Sequence, residues 1–342
     1  MTNSTSQNST DTRNGQWNLL VIYVTWISQF LVIGLGNGII VVAIVRYKAL
    51  RRRKEYLIIL GLSGSDALNM DAYGSSGGAY RIYLLLTDQF NDSRSALFCM
   101  LHPPQILWAF EWAGAVMLVV VSFDRFLSVA RPLKYFSLRR PYAYTLLFLA
   151  ICFGPGVWLL GLVIALGQLD SIGMVEAPCF SGQVYRAVNA IYGYYLMYIV
   201  PVLGLVSVLL YAAVGIAYKR IKQNVVGLAN GFSQSEERRR QRKLTLSLGM
   251  SCVCTLFLLV IPIGMAFSGE LLGWSRFTMQ MLWMFPNFNP FCNMIIFLKR
   301  QPELRQAVIS LLHGKQMPNN LDLWNVSNSA FKASQNRNGS VF

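Results

Sequence analysis

The chain has 342 residues, of which 54% are hydrophobic and 13% charged, with a net charge of +15. Soluble domains carry roughly 45–50% apolar and about 25% charged residues, so a separate soluble enzyme domain is excluded. The basic residues form clusters between long apolar stretches, which argues for membrane topology and against nucleic acid as the partner.

Residues 1–16 form a polar tail in which Asn3-Ser4-Thr5 and Asn8-Ser9-Thr10 are glycosylation sequons. The charged n-region and early apolar run of a cleavable signal peptide are missing, so the first apolar stretch is expected to act as signal anchor. Five stretches, 14–45, 141–169, 187–218, 244–269 and 277–298, contain no charged residue. Two more, 56–80 and 95–123, are apolar apart from Asp66, Asp71 and Glu111. A helix needs about 20 mostly apolar residues to cross the hydrocarbon core. The expectation is an all-α membrane protein with seven transmembrane helices. Of the 30 Lys and Arg residues, 25 lie in 46–54, 125–140, 219–243 and after 298. Positive loops stay cytoplasmic, so the N-terminus is expected to be extracellular and the C-terminus cytoplasmic. The same charges favour membrane lipid with anionic headgroups.

Along the spans the polar residues are few. Span one contains Gly36-Asn37, and span two contains Leu62, Asp66 and Asp71. A carboxylate in a membrane helix costs about 2.5–3.5 kcal/mol on insertion scales and normally faces the bundle interior or a wet cavity. Gly74-Ser75-Ser76-Gly77-Gly78 is a poor helix former, which predicts either tight packing against a neighbour or a local unwinding. Span three carries His102, Trp108, Glu111 and Trp112, and ends at Asp124-Arg125-Phe126. Pro132 follows seven residues after Arg125. Spans five and six contain Pro201 and Pro262, and span seven contains Asn289-Pro290. After span seven, Leu304, Val308 and Leu311/Leu312 recur at helical spacing, which predicts a short amphipathic eighth helix on the inner surface. The basic segment 233–243 reads as a helical extension of span six or as a positive anchor against lipid headgroups. Residues 313–342 are polar and read as a disordered cytoplasmic tail. Its end, Ser340-Val341-Phe342, is similar to a carboxy-terminal ligand of a PDZ protein.

Taken in order, Gly36-Asn37, Leu62 with Asp66, Cys99 at the head of span three, Asp124-Arg125-Phe126, the prolines of spans five and six, and Asn289-Pro290 resemble the rhodopsin-like (class A) G-protein-coupled receptors. The resemblance covers about residues 17–312. It implies a seven-helix receptor fold and a partnership with a heterotrimeric G protein and an extracellular ligand. By the same resemblance, Asp124, Arg125 and Pro132 belong to G-protein coupling. Asn37, Asp66, Pro262, Asn289 and Pro290 form the activation core, and Cys99 pairs with Cys179 in a disulfide. The chain departs from the family's pattern at four places. Asn293 replaces the tyrosine after Asn-Pro, and Val260 replaces the aromatic before the span-six proline. The span-four tryptophan position is Cys152, with Trp158 six residues on, and Arg242 stands where an acid often sits at the base of span six. This erosion is similar to that of the nematode serpentine chemoreceptors, and it leaves open whether Val260 and Asn293 support signalling.

The position of the family's amine-binding aspartate is Leu107 and that of its retinal lysine is Trp283, so neither a monoamine nor retinal is expected. The two histidines show no zinc spacing, and no nucleophile, phosphate-loop or paired-carboxylate motif occurs, so neither enzyme nor cofactor is expected. Glu111 lies about four turns above Arg125. It reads either as a counter-charge for a cationic ligand or as a buried carboxyl bonded to neighbours. Asp71 reads as pocket wall or as a helix-packing residue. His102, Trp108, Trp112, Tyr192, Tyr195 and Trp283 are further ligand candidates, although aromatics near helix ends also form interfacial belts. The functional expectation is a plasma-membrane receptor for a chemosensory small molecule or neuropeptide. A seven-span transporter or channel, and a non-signalling scaffold, are the alternatives.

Overall fold

The structure is a computed structural model that describes residues 4–225 and 249–315. The side chains before residue 16 and those of Asp71 and Pro132 lie outside the described set. The sequon residues Asn3 and Asn8, the basic segment 233–243 with Arg242, and Ser340-Val341-Phe342 therefore carry no structural account.

Five helices are long and apolar enough to cross a bilayer: Gln16–Arg46, Pro103–Ala130, Arg140–Gly167, Ala190–Ala217 and Gly249–Ala266. They are spans one, three, four, five and six. Spans two and seven complete the set of seven but are each broken into shorter pieces. Span two runs as Lys54–Ala67, a π-helical stretch Leu68–Ser75, and Ser76–Leu86. Span seven runs as Arg276–Met284, a 3-10 turn Phe285–Asn287, and Phe288–Arg300.

Local chemistry accounts for each break. Pro286 opens the turn in span seven, and Pro290 lacks the amide hydrogen needed by the preceding turn. In span six a π-helical stretch, Leu256–Val260, precedes Pro262, whose ring crowds the carbonyl of Leu258. Span two has no proline, and its π stretch coincides with the approach of two glycines to span one. A Cβ on Gly74 would lie 2.4 Å from the Phe30 ring, and one on Gly78 would lie 2.6 Å from Ile27. The glycine-rich segment therefore combines both expectations, close packing and a departure from α-helix.

At the end that bears Arg125, short helices Lys48–Arg51 and Pro132–Ser137 connect the spans. The terminal helix Pro302–Leu312 buries Leu304, Ala307 and Val308 against an apolar cluster that includes Ile40, Ile44, Leu57, Met117 and Phe297. Leu312, on the same predicted stripe, stays exposed, and Leu311 packs at the cluster's edge. The helix is pinned to span two by an ion pair between Arg53 and Glu303, with the Tyr56 hydroxyl donating to the same carboxylate at 2.8 Å.

The opposite end carries a cap that hydropathy did not reveal. Strand β1, Ser93–Ser95, pairs antiparallel with strand β2, Met174–Glu176, in the register Arg94 to Val175. Cys99 and Cys179 form a disulfide with Cα atoms 5.3 Å apart. A helix, Ser181–Val188, follows and turns Val184, Tyr185 and Val188 down into a second apolar cluster with Trp112, Tyr192, Val200 and Ile263. The segment between spans four and five thus supplies core side chains, because its apolar residues recur at helical spacing within a short stretch.

Candidate functional site

Three polar groups of side chains and one aromatic layer lie within the bundle. The first closes the end of span three. Asp124 and Arg125 are both buried, and the Arg125 guanidinium donates to the Asp124 carboxylate. Nη2 of Arg125 also donates to the Tyr135 hydroxyl at 3.1 Å, and that hydroxyl donates to Asp124 Oδ2 at 3.2 Å. Tyr135 comes from the short helix Pro132–Ser137, so Pro132 initiates the element that delivers it. Lys54, at the first turn of span two, stands 3.5 Å above the Tyr135 ring and donates to the carbonyls of Tyr135 and Leu138. Burial pushes the Tyr135 phenol up. The arginine, its carboxylate and a phenol thus form one closed unit, and removing any member leaves buried charge or donors unmatched.

The second group is a cavity of about 80 Å³ at mid-bundle. Its polar wall is made by Asp66, Asn69, Glu111, Asn287 and Asn289, and its apolar wall includes Phe30, Met70 and Leu259. Glu111 accepts from the Trp108 indole. Among the described residues, neither Asp66 nor Glu111 faces a cation in an ion pair. Asp66 and Asn289 thus share one cavity wall. Asn37 does not join them: its amide donates to Ile33 in its own helix at 3.0 Å.

Above the cavity lies a packed aromatic layer. The Trp108 and Trp112 rings lie 4.8 Å apart between centroids with their planes inclined by 59°, and Tyr185 lies 5.5 Å from Trp108 and 5.7 Å from Trp112. The Tyr192 hydroxyl donates to the Val157 carbonyl, and Trp283 packs at the layer's edge. Trp108, Trp112, Tyr192 and Trp283 are thus brought together, with Glu111 joining the layer to the cavity. Two candidates fall elsewhere. Tyr195 points outward and is 57% exposed, in keeping with a lipid-facing residue. His102 caps span three and lies 4.2 Å from the Tyr80 ring, with burial lowering its pKa. Asp71 lies in the π-helical stretch of span two.

The third group links spans six and seven, and the sequence reading missed most of it. Thr255 Oγ1 donates to Asn289 Oδ1 at 3.1 Å, and the Ser251 hydroxyl donates to Asn293 Oδ1. Spans three and five are tied by Ser122 and Ser207, whose hydroxyls are 2.8 Å apart. Serine and threonine barely alter hydropathy, so only their helical phase could have marked them. Asn293, noted as a departure, is fully buried and serves as an acceptor for span six. Val260 ends the π-helical stretch beside Pro262 and packs against the aromatic layer. Trp158 donates to the Met100 carbonyl at 3.3 Å.

The model of the 7 transmembrane receptor (rhodopsin family) matches residues 36–297, which span the bundle from Gly36 in span one to Phe297 in span seven. No curated protein matches the chain. The seven-helix bundle, the disulfide at the head of span three and the family match agree, and this chain belongs to the rhodopsin family of seven-transmembrane receptors.

Proposed function

We propose that the chain is a plasma-membrane receptor with an extracellular N-terminus, which binds a small ligand through the disulfide end and activates a heterotrimeric G protein at the Arg125 end. The observation that carries this reading is the closed unit of Asp124, Arg125 and Tyr135 at the foot of span three. A buried arginine held by a neighbouring carboxylate is a latent contact, available to a partner only when its surroundings open. A ligand drives that opening only by binding the open state better than the closed one. On this reading the interrupted helices of spans six and seven, joined by side-chain hydrogen bonds, are the element that rearranges. A cavity of about 80 Å³ favours a small molecule, or the tip of one, over a folded peptide. Glu111 at its wall suits a cationic group on that ligand.

The experiment is nucleotide exchange on a heterotrimeric G protein with receptor in bilayer discs. Arg125→Ala should abolish exchange while surface level and ligand binding persist. Arg131→Ala, at an exposed neighbouring position, should change it little. Full exchange by Arg125→Ala would remove the coupling assignment.

A further inference from the structure

The helix Pro132–Ser137 ends in an exposed basic corner on the Arg125 side of the bundle. Among the described hydroxyls between residues 122 and 137, those of Ser122, Ser128 and Tyr135 are buried, and only that of Ser137 is exposed. It donates to the Lys134 carbonyl at 2.7 Å. The chain after it is extended, with Leu138 at φ −67°, ψ 121° and Arg139 at φ −87°, ψ 176°. Lys134, Arg139 and Arg140 are exposed around it. An accessible serine followed by extended backbone and two arginines suits an acidic peptide-binding cleft, where charge complementarity selects the partner. One residue on, the Leu138 carbonyl accepts from Lys54 at 3.2 Å, and the same ammonium stands 3.5 Å above the Tyr135 ring. The serine therefore neighbours the contact that steadies Tyr135, which in turn bridges Asp124 and Arg125.

We infer that Ser137 is a phosphorylation site for an arginine-directed serine kinase, and that the phosphate draws Lys54 away from Tyr135. On the receptor reading proposed above, this end of the bundle faces the cytoplasm, where ATP is the phosphoryl donor. Oγ of Ser137 attacks the γ-phosphorus of ATP, the bond to the β-phosphate oxygen breaks, ADP leaves, and the hydroxyl proton passes to a base on the kinase. The product carries a charge of about −1.5 to −2. It no longer has the hydrogen given to the Lys134 carbonyl. It sets negative charge against the carbonyl end of the helix Pro132–Ser137, where the helix dipole is itself negative. It also offers Lys54 ionised oxygens, which bind an ammonium more strongly than neutral carbonyls do. Arg139 and Arg140 compete for those oxygens, and the repulsion at the helix end acts whichever cation is bound. Loosening this helix loosens the phenol that closes the unit around Arg125.

The test uses full-length receptor in bilayer discs, treated with ATP and a panel of arginine-directed serine kinases. The chemistry is read first, by mass spectrometry. A phosphopeptide at Ser137 is expected, and it should be absent in Ser137→Ala. No phosphate at Ser137 would overturn the site. The local effect is read second, by amide hydrogen exchange across 132–138. Protection should fall on phosphorylation and in Ser137→Asp, and phosphorylation should add little in a Lys54→Met background. Phosphate on Ser137 with protection unchanged or increased would overturn the release of Lys54 while leaving the site. Nucleotide exchange on a G protein is read third, and basal exchange should rise several-fold. Lost protection in a receptor that drives no exchange in any form would instead count against the coupling reading.

Discussion

The ammonium of Lys54 stands 3.5 Å above the centre of the Tyr135 ring and also donates to the Leu138 carbonyl at 3.2 Å. One side chain from span two thereby holds both the face of the phenol and the last carbonyls of the helix Pro132–Ser137. The cation–π component contributes about 0.5–2 kcal/mol depending on desolvation, and a positive charge suits a helix C-terminus. Since Tyr135 bridges Asp124 and Arg125, Lys54 acts on the arginine without touching it.

Lys54→Met should therefore loosen the helix Pro132–Ser137 and raise basal nucleotide exchange several-fold. Lys54→Arg should retain much of the parent behaviour, because a guanidinium can still stack and donate. Amide hydrogen exchange across 132–138 is the direct readout. Unchanged protection in Lys54→Met would dismiss the clamp.

The seam between spans six and seven permits a cleaner dissection. Thr255→Val removes one hydroxyl with little change of shape and leaves Asn289 Oδ1 without that donor. Interhelical hydrogen bonds in membranes average about 0.6 kcal/mol in double-mutant cycles. A cycle of Ser251→Ala with Asn293→Ala should give a coupling of about that size, with the single variants shifting basal exchange in the same direction. Strict additivity in thermal unfolding would mean that the contact has no energetic content.

Glu111 lines the cavity and accepts from Trp108. Glu111→Gln keeps an acceptor for the indole and removes only the charge. Cationic agonists found by screening should lose about tenfold or more in potency, equivalent to roughly 1.4 kcal/mol. Neutral agonists should be little affected. Equal losses for both classes would make Glu111 a structural residue.

The Cys99–Cys179 bond closes a separation of 80 residues and fastens the cap of β1, β2 and the helix Ser181–Val188 over the aromatic layer. A disulfide of this kind contributes about 2–4 kcal/mol. Cys99→Ala and Cys179→Ala should reduce surface expression equally, and the double variant should add little. Detection of two free thiols in mature receptor would contradict the pairing.

Sequence alone determined the seven spans, because hydrocarbon tolerates few charges and needs about 20 apolar residues per crossing. The same constraint made Asp66, Glu111 and Arg125 conspicuous before any fold was known. Motif order then named the family, even with Asn293 and Val260 in unfamiliar places. Tertiary structure decided which polar groups meet. Ser251, Thr255, Ser122 and Ser207 are nearly silent in hydropathy, and their roles depend on which neighbour each helix face meets. Tyr135 and Lys54 lie 81 residues apart, and Tyr185 comes from a segment too short and polar to register as an element. Asn37 shows the reverse, since its type and position suggest a shared polar centre while its amide bonds within its own helix. Side-chain partnership across helices is a long-range property, set by rotation and approach of whole spans, and neither quantity is encoded in the local pattern that marks where a span begins and ends.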